Sequence, residues 1–147
     1  MLKNYIVIIL PLFAALVAQI SKMFIHTNHV GVSVKNLTAY SGMPSGHTAL
    51  MTSLTTIVGL TQGVNSPIFA LTLVMMILVV RDALGIRRYL GEHGKILNML
   101  VKDLDNDHVL EKHYPHLLER VGHTPAQVLV GGVIGVTVAV GGYFILY

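Results

Sequence analysis

Two short stretches carry the residue types best suited to chemistry. Ser41-Gly42-Met43-Pro44-Ser45-Gly46-His47-Thr48 precedes one apolar run, and Gly122-His123-Thr124-Pro125 precedes another. Each sets a histidine within a turn of an expected helix start. Ser45 reads as an N-cap, and Thr124 followed by Pro125 reads as N-cap and first helical residue. The unpaired N–H groups and the dipole of such a start favour an anion. Gly46 leaves room for close approach by a phosphate oxygen. Cations lie near the same runs: Lys22, Arg81, Arg87 and Arg88, with Asp82 among them. A nucleophile, an acid for the leaving group and fixed positive charge together form the equipment of phosphoryl transfer.

These residues need a scaffold, and the composition points to one in lipid. Of 147 residues, 53% are hydrophobic and only 12% are charged. Soluble domains carry about twice that share of charge. Four apolar segments stand out, at about 4–24, 46–60, 67–80 with a continuation toward 84, and 125–147. The first and last are long enough to span a bilayer, and the middle two are short for it. Pro11 lies inside the first, where a membrane helix tolerates it. That segment is read as a retained span, since no small-residue cleavage site follows its apolar run. The expected fold is all-α: a small integral membrane helix bundle of four main spans plus short amphipathic helices, forming a single domain. Residues 81–124 make the polar connection, with Gly85, Gly91 and Gly94 breaking its early part and an amphipathic helix at 95–104. In the last segment Gly131 and Gly135 allow close helix packing. Packing within the bundle is preferred to a dimer seam, although four short spans make a thin bundle and a homodimer stays open.

If each segment crosses once, every lysine and arginine except Lys3 falls on one face. The positive-inside rule makes that face cytoplasmic and both termini extracytoplasmic. Both histidine motifs then lie at the cytoplasmic surface of the cell membrane. The basic residues sit between apolar spans, which argues against nucleic acid as a partner. Without cysteine there is no disulfide or thiolate chemistry. The acidic and histidine-rich stretch 103–116 fails the calcium-loop pattern, because His108 and Tyr114 occupy its glycine and glutamate positions. His108, Glu111, His113 and His116 have the chemistry of metal ligands, but a solvated loop is the preferred reading.

Pro44-Ser45-Gly46-His47 resembles the central signature of the type 2 phosphatidic acid phosphatase superfamily, which includes vanadium haloperoxidases. Asp82-Ala83, Gly85, Arg87-Arg88, Gly91, Leu97-Asn98 and Gly122-His123-Thr124-Pro125 resemble its divergent, short, four-to-five-helix branch. The likeness extends over residues 22–135. It implies His123 as the nucleophile that forms a phospho-histidine and His47 as the acid that protonates the leaving alcohol. It implies Lys22, Ser45, Gly46, Arg81, Arg87 and Arg88 as phosphate-binding residues, and chemistry without a metal or other cofactor. Two departures stand out: no Arg-Pro pair follows Lys22, and Gln127 stands where an acid is usual. Gln127 is expected to reach back to the His123 ring. It would fix the tautomer without supplying charge, unless Asp82 or Glu92 fills that role.

The expected activity is hydrolysis of a membrane lipid phosphomonoester, of phosphatidylglycerophosphate or phosphatidate type. The alternatives are a non-catalytic lipid-phosphate binder, a polyprenyl diphosphate phosphatase, and a structural membrane subunit or transporter whose charged face only sets topology.

Overall fold

The computed structural model describes residues 5–25, 42–104, 116–119 and 121–146. Regular structure among them is helical throughout: α1 (Ile6–Ser21), α2 (Gly46–Gln62), α3 (Pro67–Leu84), α4 (Ile86–Leu104) and α5 (Pro125–Leu146). The four expected spans are α1, α2, α3 and α5. Local sequence sets their limits. Ser45 caps α2 by accepting from the Thr48 N–H, and Ser66 caps α3 by accepting from the Phe69 N–H at 3.2 Å ahead of Pro67. Gly63, at φ +84°, ends α2 in a left-handed turn that favours glycine.

The helices alternate in direction. Thr55 of α2 donates to the Thr72 carbonyl of α3 at 3.2 Å, and Gly59 faces Phe69, so these two helices are antiparallel. α2 and α5 run parallel. Gly131 lies against the Ser45 carbonyl, and Gly135 against the Ala49 carbonyl and Thr52. A Cβ at either glycine would collide with backbone, so the small residues let the two helix axes approach. This surface is consumed inside the bundle. Ile6, Leu10, Ile57 and Ala139 form a core cluster at one end, away from the histidines.

α3 and α5 are long and apolar enough to cross a membrane, and α1 is a shorter apolar helix. Their outward faces are apolar and exposed, as at Leu12, Leu71, Leu78 and Val136. In water so much apolar surface would be costly, but lipid tails are an adequate solvent for it.

One expected element differs. Gly91 and Gly94 do not break the polar connection, and α4 runs through both from Ile86 to Leu104. Their helix cost, about 1 kcal/mol each relative to alanine, is accepted for a steric reason. A Cβ at Gly91 would stand 2.6 Å from the Glu119 carbonyl oxygen, and one at Gly94 would stand 2.9 Å from that of Leu118. The glycines are the floor on which the segment leading to His123 lies. Of the acidic and histidine-rich stretch, residues 105–115 lie outside the described residues.

Candidate functional site

Four chain segments meet at the end of the bundle opposite that core. α1 ends there at Lys22, α2 begins at Gly46, α3 ends at Leu84, and α5 begins at Pro125. Two backbone bonds lock them together. The Ser45 N–H donates to the Gln127 carbonyl at 3.0 Å, tying the two helix starts. The His123 N–H donates to the Ala83 carbonyl at 3.0 Å, tying the histidine to the end of α3. Gly46 packs against the Gln19 side chain of α1.

The approach to His123 is built by α4. Asn98 imitates a backbone partner: its Nδ2 donates to the Leu117 carbonyl at 2.9 Å, and its Oδ1 accepts from the Leu117 N–H at 3.0 Å. Nδ2 also lies 3.0 Å from Glu119 Oε1. Gly122 then turns with φ +95° against the backbone of Arg88, where a Cβ would meet the Arg88 nitrogen at 2.8 Å. Only glycine fits both the left-handed conformation and the contact. Gly91, Leu97-Asn98 and Gly122 appear in the sequence as parts of a resemblance. Their physical work, cradling the His123 segment, needs the fold to be seen. The legible signal is a glycine pair three residues apart, followed by Asn98, on one helical face.

The His123 side chain is 6% exposed, and neither ring nitrogen has a hydrogen-bond partner among the described residues. Burial pushes its pKa down to about 4, and the positive fields of Lys22, His47 and Arg87 add to the effect. The imidazole is therefore neutral at physiological pH, with a lone pair that no described residue engages. Lys22, 8% exposed, reaches this pocket from α1. His47, the second residue of α2, is exposed. Arg87 is held by Asp82, with Nε 2.5 Å from Oδ2. The fold thus draws Lys22, His47, Arg87 and His123 into one electrostatic neighbourhood. Neutral buried imidazole, solvent-accessible imidazole and two cations are a set able to take a phosphate.

Other candidates stand elsewhere. Arg88 turns outward to Glu92, 3.4 Å away, and both are exposed. Arg81 is exposed and lines a shallow apolar groove with Met76, Ile77, Val80 and Leu84. Neither arginine is among the charges that act on His123. Ser45 is fully buried, its N–H is committed to Gln127, and its hydroxyl receives the Thr48 hydroxyl at 3.0 Å, so it clamps the helix starts. Gln127 corrects the sequence expectation most clearly. Its Oε1 accepts from the Thr124 N–H at 3.0 Å, while Thr124 Oγ1 accepts from the Gln127 N–H at 3.3 Å. That is a reciprocal capping box on α5, and no hydrogen bond joins the glutamine to the His123 ring. Asp82 is used by Arg87 and Glu92 by Arg88, so neither carboxylate orients the imidazole.

No solved structure matches the chain. The uncharacterized membrane protein YuiD of Bacillus subtilis (strain 168) is 34% identical over 109 residues, covering 68% of this chain and 69% of that protein. The family model described as the divergent PAP2 family matches residues 2–138, both histidine motifs and all five helix starts included. The chain is a membrane protein and belongs to the divergent PAP2 family.

Proposed function

We propose that the protein is a lipid-phosphate phosphatase of the cytoplasmic membrane. The observation that carries this reading is the His123 ring: buried, neutral, without a described hydrogen-bond partner, and set beside Lys22, Arg87 and His47. In the first step the His123 lone pair attacks phosphorus. Lys22 and Arg87 offset the charge on the non-bridging oxygens, with the starts of α2 and α5 adding backbone dipoles. His47, reached by solvent, gives its proton to the departing alcohol oxygen. In the second step water attacks the phospho-histidine, passes a proton to His47, and phosphate leaves. The step needs no metal.

The substrate is a phosphomonoester presented at the membrane surface. The charge asymmetry between the faces supports a cytoplasmic site, and hence a phosphatidylglycerophosphate- or phosphatidate-type lipid over a polyprenyl diphosphate handled outside. A second reading is a non-catalytic lipid-phosphate binder. It draws on a specific observation: no described carboxylate contacts the His123 ring to stabilise its charged form. Purified protein incubated with phosphatidate, phosphatidylglycerophosphate and a polyprenyl diphosphate, read by phosphate release against His123→Ala, separates the readings. Release by the native chain alone supports the phosphatase. Lipid-phosphate binding without release supports the binder.

A further inference from the structure

α4 differs from the spanning helices in having three distinct faces. Ile86, Leu90, Leu97, Leu100 and Leu104 recur at helical spacing, share one face, and are all exposed. Arg88, Lys95 and Lys102, seven residues apart, lie exposed on the opposite side. The third face, Gly91, Gly94 and Asn98, grips the segment that leads to His123. A strongly two-sided apolar and basic helix of this kind suits neither bulk water nor the bilayer core.

Its place in the chain says what covers the apolar face. Only Gly85 separates α4 from α3, a helix of membrane length, so α4 begins where a span of that length would leave the hydrocarbon. An apolar face at that depth meets the boundary between headgroups and acyl chains. The basic residues favour anionic headgroups over a neutral surface. We propose that α4 lies in the plane of a lipid surface, with its leucine face sunk at the headgroup boundary. Its glycine–Asn98 face then holds the His123 segment at headgroup depth, the level at which a lipid phosphate sits. The docking surface does not depend on the phosphatase reading, and its test involves no turnover.

The chain has no cysteine, so single labels can be placed freely. Nitroxides at Leu97→Cys and Leu100→Cys, and at Lys95→Cys and Lys102→Cys, are measured in the full chain. The vesicles are phosphatidylcholine with phosphatidylglycerol, and a label at the exposed Val136 of α5 serves as the depth reference. Accessibility to oxygen is compared with that to a water-soluble nickel chelate. The expected result is oxygen-rich, chelate-poor leucine-face labels about 5–10 Å into the headgroup–acyl boundary, with the lysine positions showing the reverse. Equal chelate access on both faces overturns the proposal, because α4 then stands off the membrane. Leucine-face labels shielded from both reagents, with dipolar broadening between copies, also overturn it and assign the face to a second copy of the chain.

Discussion

The two histidines occupy the same kind of local position, near the starts of two parallel helices, yet they are mounted differently. His47 belongs to α2 itself, whose start is capped within the run from Pro44 to Thr48 and tied to α5 by the hydrogen bond from the Ser45 N–H to the Gln127 carbonyl. It is exposed. His123 precedes α5, and its position comes from distant residues: the Ala83 carbonyl, the Arg88 backbone under Gly122, and Asn98 and the glycines of α4. It is buried, with both ring nitrogens lacking a described partner. Mounting separates environments that residue type cannot. An imidazole in contact with water exchanges protons readily. Burial, more than the Lys22 and Arg87 charges that both rings feel, holds His123 neutral with its lone pair unengaged by any described residue.

Exchanging either histidine for alanine breaks that contrast most directly. His123→Ala should reduce phosphate release to background, since no described neighbour can replace the nucleophile. His47→Ala should cost about 100- to 10,000-fold on alkyl phosphates, the usual range for a lost general acid. The loss should shrink on an aryl phosphate, whose leaving group needs no proton. Equal losses on both ester classes would remove the proposed division.

The long-range mounting of His123 can be loosened without touching either ring. Asn98→Ala leaves the solvent-exposed Leu117 N–H and carbonyl without their side-chain partner, a change of about 0.5–1.5 kcal/mol per bond. Turnover should fall by roughly tenfold, near 1.4 kcal/mol, while the His47 ring resonance keeps its position. If both ring environments shift together, the two mounts form one cooperative unit and the contrast is too sharp.

A smaller effect concerns charge. The His123 pKa of about 4 is lowered first by burial, then by Lys22, His47 and Arg87. Its ring should stay neutral as pH falls from 7 and gain a proton only near pH 4. Without Lys22 one cation no longer opposes that proton, so Lys22→Met should raise the midpoint. Nuclear magnetic resonance of ring-labelled histidine in the detergent-solubilised protein measures both midpoints. A wild-type midpoint near the ordinary 6.5 would mean that water reaches the ring.

These differences also mark what the sequence could tell. The spans are legible because apolar runs and their caps are local, as at Ser45 and the Thr124-Pro125 pair. The sequence pattern predicts only the 95–104 part of α4, because glycine is a helix breaker by propensity and its value here is a contact with residues about 25 positions later. The arginines were equally hard to sort. Arg87 and Arg88 are adjacent, but neighbours on a helix point about 100° apart, and only Arg87 meets Asp82 and turns its field on His123.

Gln127 gives the smallest expected effect and a sharp discrimination. By position it stands one turn after His123, which suggests a hydrogen bond to the ring. The structure instead uses its side chain as the N3 partner in the capping box with Thr124. A glutamate performs that task at least as well, since its charge also favours the helix start. Gln127→Glu should therefore raise stability slightly, by about 0.3–1 kcal/mol, and leave turnover within about twofold. Gln127→Ala should lose the cap, about 1 kcal/mol, again with little effect on rate per folded molecule. A tenfold gain in rate with glutamate would mean that the new carboxylate reaches the imidazole and stabilises its charged form. His123 would then be supported locally, as His47 is, and the contrast between the two mounts would fail at that point.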